Sequence, residues 1–191
     1  MQGKGSNYTG KDRITDYLSK SASGISKLRG NIDKIISIYE LLKNNPNNRV
    51  FVIGNGGSSS AASHLVNDLL INGKVKISCL SDNIPTVTAI ANDDSYDNIF
   101  ANQLQNLANP NDILIVFSGS GSSRNILKAI DVAIDKKMRI IACIGTNGGK
   151  IHSDYKEKVD YLIHISIPMS NYEDASVVFI HLLMDLFIKL T

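Results

Sequence analysis

Short apolar runs alternate with stretches of helical periodicity along most of the chain. The runs cover residues 49–53, 76–80, 112–117, 139–144 and 161–165, and each is followed by a glycine or a serine. Apolar strands separated by helices indicate a parallel sheet that is covered on both faces. The pattern therefore predicts an α/β fold, a three-layer sandwich with a central parallel sheet. Any ligand is expected at the carboxyl ends of its strands.

A helical arm precedes the sheet. From Asp16 onward the apolar residues recur at spacings of three to four, until an asparagine- and proline-rich stop at 44–48. This predicts one long helix or two shorter ones. Residues 1–15 are expected to be a disordered or cloning-derived tail, and 16–191 to form a single domain. Further helices are expected from the first glycine loop to about Leu70, at 96–107, up to Lys136 and from about Glu173 to Leu190, with polar turns after residue 80.

Composition narrows the class of protein. The chain has 191 residues, of which 43% are hydrophobic, and a net charge of +2. So balanced a charge argues against a dedicated nucleic-acid or membrane-surface protein, and no apolar run approaches the ~20 residues of a bilayer helix. Cys79 and Cys143 lie far apart in apolar runs, as expected of buried thiols in a reducing compartment. We therefore expect a cytoplasmic protein with neither nucleic-acid nor membrane partners.

Two loops of similar composition follow predicted strands and open predicted helices. They are Gly-Asn-Gly-Gly-Ser-Ser-Ser at 54–60 and Ser-Gly-Ser-Gly-Ser-Ser-Arg-Asn at 118–125. Free amides at a helix start form an anion site, and serine hydroxyls add donors. Either loop alone is equally well explained by ordinary serine caps, but two at one sheet edge favour phosphate binding. Neither has dinucleotide or P-loop spacing, so a small phosphorylated metabolite is the better candidate.

Two helices each carry a carboxylate and a histidine. His64 and Asp68 are four residues apart, and Glu173 and His181 are eight apart, so each pair projects from one helix face. Together they could supply the nitrogen and oxygen ligands of a tetrahedral metal site. They could equally supply the acid and base for proton transfer beside a carbonyl.

These motifs, in this order, resemble the sugar isomerase (SIS) superfamily, and within it the phosphoheptose isomerases. The resemblance covers about residues 25 to 190. The segments that carry it are Gly54-Asn-Gly-Gly-Ser58, His64, Ile90-Ala-Asn-Asp93 with Tyr96, Ser118-Gly-Ser-Gly-Ser-Ser123 with Asn125-Ile-Leu-Lys-Ala129, and Ile180-His181-Leu-Leu. It implies a flavodoxin-like fold and a homotetramer with sites between subunits.

The resemblance also implies roles for individual residues. The serine loop would bind the phosphate of a small phosphorylated sugar, and the first loop and the Asn-Asp segment would contact the rest of the substrate. The substrate-binding residues expected on this basis are Asn55, Gly56, Gly57, Ser58, Asp93, Ser118, Gly119, Ser120 and Ser123.

For the metal, the resemblance implies a divalent ion, zinc first, held by His64, Asp68, Glu173 and His181. Asp68 is the expected base, with Glu173 as second candidate, and His181 is the expected acid. The chain departs from the family in several positions. They are Asp68 where glutamate is usual, Glu173 for glutamine, Ser170 for aspartate, Gly119 for threonine and Arg124 for proline. Asp68 is one methylene shorter than glutamate, which changes its reach.

The implied function is an aldose–ketose isomerase. It would convert sedoheptulose 7-phosphate to D-glycero-D-manno-heptose 7-phosphate through an enediol, for heptose and surface polysaccharide synthesis. Two alternatives remain open at this point. One is a non-catalytic SIS regulator that binds a protein partner, and the other is an isomerase or binder of another sugar phosphate.

Overall fold

The computed structural model describes residues 9–190 and shows a five-stranded parallel sheet with helices on both faces. The strands are β1 (Val50–Ile53), β2 (Ile77–Cys79), β3 (Ile113–Ser118), β4 (Arg139–Ile144) and β5 (Tyr161–His164). The helices are α1 (Gly10–Lys27), α2 (Ile32–Asn44), α3 (Gly57–Ile71), α4 (Ile84–Asp93), α5 (Ala101–Leu107), α6 (Arg124–Asp135), α7 (Gly149–Asp154) and α8 (Met169–Lys189). Short 3-10 turns cover Leu28–Asn31 and Tyr96–Asn98. The predicted three-layer α/β class is confirmed.

The strand order is β2-β1-β3-β4-β5, with every neighbouring pair parallel. The order reverses between β1 and β3, so the loops that follow these two strands diverge to opposite faces of the sheet. A crevice forms at the carboxyl edge between such loops, which is where open α/β sheets bind ligands. The two serine- and glycine-rich loops are these two loops.

Alternate side chains of the strands build a core on each face. On β1, Val50 and Val52 pack with α2, α3 and α8, whereas Phe51 and Ile53 pack with α5 and α6. All four are buried, as expected of strands covered on both sides. Cys79 and Cys143 are buried free thiols, and burial raises the pKa of the Cys143 thiol to about 12.

The N-terminal arm begins earlier than the periodicity indicates. A capping box starts α1 at Gly10, since the Asp12 amide donates to the Thr9 hydroxyl and the Thr9 amide donates to the Asp12 carboxylate. Residues 10–15, expected in the tail, are therefore helical. The rest of that prediction, residues 1–8, lies outside the described residues.

Three helix predictions are corrected. The expected polar turns after residue 80 contain α4, which Asn83 caps and which has Pro85 in its first turn, and no residue of this helix is fully buried. The helix expected at 96–107 is a 3-10 turn followed by α5, and α8 starts at Met169 rather than near Glu173. In α4, Val87, Ile90 and Ala91 recur at helical spacing and pack half-buried against the core beside α5 and α6, but the segment is short and contains a proline and several β-branched residues, which obscures this period.

No helix among residues 9–190 is long and apolar enough to cross a membrane.

Tyr172 joins α8 to the carboxyl end of the sheet. Its buried hydroxyl donates to the carbonyl of Cys143 in β4 at 2.6 Å, and its ring packs where Cβ atoms on Gly119 and Gly145 would stand. Burial raises the pKa of Tyr172 well above its ordinary value, so the hydroxyl keeps its proton and remains a donor. This contact positions the first turn of α8 beside the serine loop.

We expect Tyr172→Phe to lower the free energy of unfolding by about 1 to 2 kcal/mol, because it deletes one buried hydrogen bond and keeps the ring. Urea unfolding followed by circular dichroism measures the change. Tyr161→Phe, on the half-buried start of β5, is the matched control and should stay close to wild type. Equal stabilities of the two variants would show that the Tyr172 hydroxyl does not anchor α8.

Candidate active site

A small cavity lies between the first glycine loop, the serine loop and the start of α8. Its volume is about 130 Å³. The residues that line it are Asn55, Ser58, Phe117, Ser118, Gly119, Ser120, Ser123, Met169 and Glu173. Six of the predicted substrate-binding residues are among them, so the structure brings the two loops together as the sequence indicated.

Hydrogen bonds within the serine loop define its conformation. The Gly121 amide donates to the Ser118 hydroxyl at 3.1 Å, and Gly121 adopts a positive φ of 61°. Ser123 is the N-cap of α6, yet its side chain makes no capping hydrogen bond. Its hydroxyl and that of Ser120, 3.5 Å apart, both face the cavity at the start of α6, where helix amides and dipole favour an anion.

A reciprocal amide pair couples the two loops. The Asn55 side chain donates to Asn125 Oδ1 and accepts from Asn125 Nδ2, both at 2.9 Å, while the Tyr96 hydroxyl donates to Asn55 Oδ1 at 3.1 Å. Asn125 was not among the predicted site residues. Its position at the end of the serine loop could have indicated a site residue, but its partner Asn55 is 70 residues away in the sequence.

Three of the four predicted metal ligands meet between α3 and α8. The ligand atoms of His64, Asp68 and His181 all lie within 4.8 Å of one another. His64 Nε2 is 3.2 Å from Asp68 Oδ2 and 3.3 Å from His181 Nε2. The three atoms thus converge on one point, which is the arrangement of a metal site.

Asp68 supplies the strongest test of that interpretation. It is only 7% exposed, and its Oδ2 is a buried oxygen with no hydrogen bond in the part of the chain that the structure describes. A buried carboxylate oxygen without a donor is costly, and a cation would remove the cost. The residues present therefore fit a divalent ion.

Glu173 is not part of this cluster. A Cβ built on Gly57 would overlap the Glu173 carboxylate, so this side chain lies over the first turn of α3 and lines the serine-loop cavity. His64 and His181 are seven and eight residues further along their helices, about 10 to 12 Å at 1.5 Å per residue. The structure therefore does not unite the four predicted ligands, because Glu173 belongs to the other end of the site.

Three predicted substrate-binding residues do not line the cavity: Gly56, Gly57 and Asp93. Asp93 is exposed at the end of α4, where its Oδ1 accepts from Asn92, and Gly56 has no neighbouring atom within 4 Å of a built Cβ. Gly57 touches the cavity through Glu173. Ser170 also faces elsewhere, toward a second pocket with Arg13 and Tyr17.

The fold and the two-loop crevice define a phosphate-binding α/β domain, and comparison with known proteins specifies it. A family model described as "SIS domain" matches residues 15–145. The chain belongs to this family of sugar isomerase domains.

Similar proteins indicate which type of SIS protein this chain resembles. A phosphoheptose isomerase from Geotalea daltonii is 35% identical over 168 residues, which cover 82% of this chain and 83% of the relative. The structure of phosphoheptose isomerase GmhA from Neisseria gonorrhoeae superimposes with a TM-score of 0.86 at 26% identity, over 94% of this chain and 99% of that one. A phosphoheptose isomerase from Francisella tularensis gives 0.84 at 29% identity, over 96% and 100%.

The cluster predicts one divalent ion per chain, and Asp68→Asn should weaken zinc binding by at least about 10- to 100-fold, the loss typical even of outer-shell partners. Asp68→Glu keeps the carboxylate and should retain the ion. Elemental analysis after dialysis against buffered zinc measures the content. His152→Gln, which removes an imidazole outside the cluster, is the control. Full zinc content in Asp68→Asn would show that the cluster does not hold the ion.

Proposed function

We propose that this protein is an aldose–ketose isomerase that converts sedoheptulose 7-phosphate to D-glycero-D-manno-heptose 7-phosphate, for heptose and surface polysaccharide synthesis. The observation that carries the proposal is the two-ended site along α3 and α8. A phosphate cavity lies at one end, and a cluster of two histidines and a carboxylate lies about two helical turns away. The named relatives, which are phosphoheptose isomerases, support the assignment.

The length of the site suits a long sugar phosphate. With the phosphate at Ser120 and Ser123, an extended seven-carbon chain places its carbonyl end near His64 and His181. A shorter sugar phosphate would leave its reacting carbons between the two ends. This geometry favours the heptose phosphate over the alternative of another sugar phosphate.

His181 is the group that we assign to proton transfer. It is exposed, whereas Asp68 is only 7% exposed and is therefore less accessible to a substrate. An enediol requires a proton to leave one carbon and return to its neighbour, and an imidazole nitrogen can both accept and donate a proton. Asp68, predicted to be the base, is better placed to orient His64 and to hold a cation.

Zinc is the ion that we propose for the cluster, because imidazole nitrogen and carboxylate oxygen are ligands that it favours. Held by His64 and Asp68, with the His181 imidazole beside it left free for the proton, it would stabilise the negative oxygen that develops as the carbonyl becomes an enediolate. The chain itself positions the sugar: the serine loop binds the phosphate, and the Asn55–Asn125 pair keeps both loops at a fixed separation.

We also propose a homotetramer with sites between subunits in the cytoplasm. Large apolar side chains are exposed on the helical arm, including Ile14 at 64% and Leu18 at 62%. An apolar hollow of about 230 Å³ lies between the arm and α8, lined in part by Ile25, Ile32 and Leu182. Exposed apolar patches of this kind mark protein interfaces. His181 on the same helix is exposed as well, so a second subunit that packs along α8 would come close to the catalytic cluster.

The decisive experiment incubates the zinc-loaded protein with sedoheptulose 7-phosphate in D₂O. We expect deuterium to enter at C1 as the ketose is converted to the aldose, and His181→Ala to lose this exchange by about 10²-fold or more. Proton NMR follows both signals. Wild-type protein that binds the sugar phosphate without exchange or conversion would favour the non-catalytic regulator and refute the isomerase.

The phosphate end has its own test. Replacing Ser120 and Ser123 together by alanine should raise KM strongly, since each hydroxyl bond to a charged phosphate is worth about 1.5 to 3 kcal/mol. The free energy of unfolding should change little. Ser153→Ala, at the exposed end of α7, is the matched control. An unchanged KM in the double variant would place the phosphate elsewhere.

A further inference from the structure

Glu173 is a carboxylate with no function in the isomerisation described above. Its side chain lines the cavity beside Ser118, Ser120 and Ser123. Within the described residues it forms no hydrogen bond or ion pair, in contrast to its neighbour Asp174, which accepts from Tyr17 and Ser21. Glu173 therefore offers free lone pairs to whatever occupies the cavity.

The absence of a side chain at residue 57 makes room for this carboxylate. Its two oxygens lie closer than van der Waals contact to where a Cβ of residue 57 would stand, so a larger residue there would displace the Glu173 side chain. Gly57 is the first residue of α3, a helix whose N-cap supplies no side-chain hydrogen bond, and the helix dipole stabilises a negative charge there. The carboxylate therefore lies at the cavity wall, away from the metal cluster.

The chemistry of an ionised carboxylate limits its partners. It accepts hydrogen bonds and cannot donate them, whereas the serine hydroxyls and the Asn55 amide can donate. A phosphate is also an acceptor and is repelled by a like charge. Glu173 must therefore pair with donors, and on a sugar phosphate the donors next to the phosphate are the hydroxyls of the adjoining carbons.

We propose that Glu173 is a specificity-determining residue that binds sugar hydroxyls adjacent to the phosphate, and that it selects polyol phosphates over simple phosphate esters. The inference rests on the proposed function for its substrate class. In this proposal the serine hydroxyls of the cavity donate to the phosphate, and the Glu173 carboxylate accepts hydrogen bonds from the sugar hydroxyls. A phosphate without neighbouring hydroxyls would meet only the repulsion.

The test compares two ligands that the protein cannot isomerise. A heptitol 7-phosphate keeps the hydroxyls, and butyl phosphate lacks them. Isothermal titration of the full chain gives the ratio of their dissociation constants. In Glu173→Gln we expect the preference for the heptitol phosphate to fall by about 10-fold or more, because the charged acceptor for the sugar hydroxyls is lost, whereas the change in phosphate repulsion is the same for both ligands.

A second variant displaces the carboxylate without removing it. Gly57→Ala adds a Cβ where the Glu173 oxygens lie, and the flexible side chain can move aside at little cost to the fold. Alanine is also the better helix former. We expect the same loss of preference as in Glu173→Gln. Asp185→Asn, which makes the same charge change on an exposed turn of α8, should keep the wild-type ratio.

Each result is decisive. An unchanged ratio in Glu173→Gln overturns the proposal. Loss of deuterium exchange at saturating sedoheptulose 7-phosphate together with an unchanged ratio would instead identify Glu173 as the base, and overturns it too. A wild-type protein that prefers the heptitol phosphate but catalyses no exchange would refute the isomerase, while the ratio in the variants would still decide the role of Glu173.

Discussion

The packing of α3 along α8 is the contact on which the whole candidate site depends. The two helices run in the same direction, so the start of one meets the start of the other, at Gly57 and Glu173, and later residues meet again at His64 and His181. The two meeting points are seven residues apart on α3 and eight apart on α8, which at 1.5 Å per residue is about 10 to 12 Å. The separation between the phosphate end and the metal end follows from that rise.

The sheet supplies the second constraint. Because β1 and β3 are neighbours and the strand order reverses between them, their loops open a crevice at the carboxyl edge. The Asn55–Asn125 pair closes the back of this crevice with two hydrogen bonds. Tyr172 fixes α8 to β4 at the same edge. Loops rich in glycine and serine are flexible by themselves, and these hydrogen bonds give the cavity a defined shape.

Asp68 and Glu173 show how two carboxylates in one site acquire different chemistry from their surroundings. Asp68 is buried against His64 and has an oxygen without a donor, which suits a cation. Glu173 lies at a helix start with its lone pairs free, which suits a neutral donor. Both differ from what is usual in the family, and on the difference in their burial rest our proposals that Asp68 binds the metal and Glu173 the sugar.

The sequence by itself determined the strands, the parallel α/β class, the phosphate loops and the local pair of His64 and Asp68, because each is encoded within a few residues. It did not determine α4, a short helix with a proline and several β-branched residues whose apolar face is only half-buried, or the Asn125 partnership across 70 residues. The placement of Glu173 was beyond it as well. Eight residues bring two side chains to one helix face but also move them two turns apart, and only the packing of α3 on α8 shows which end each one joins.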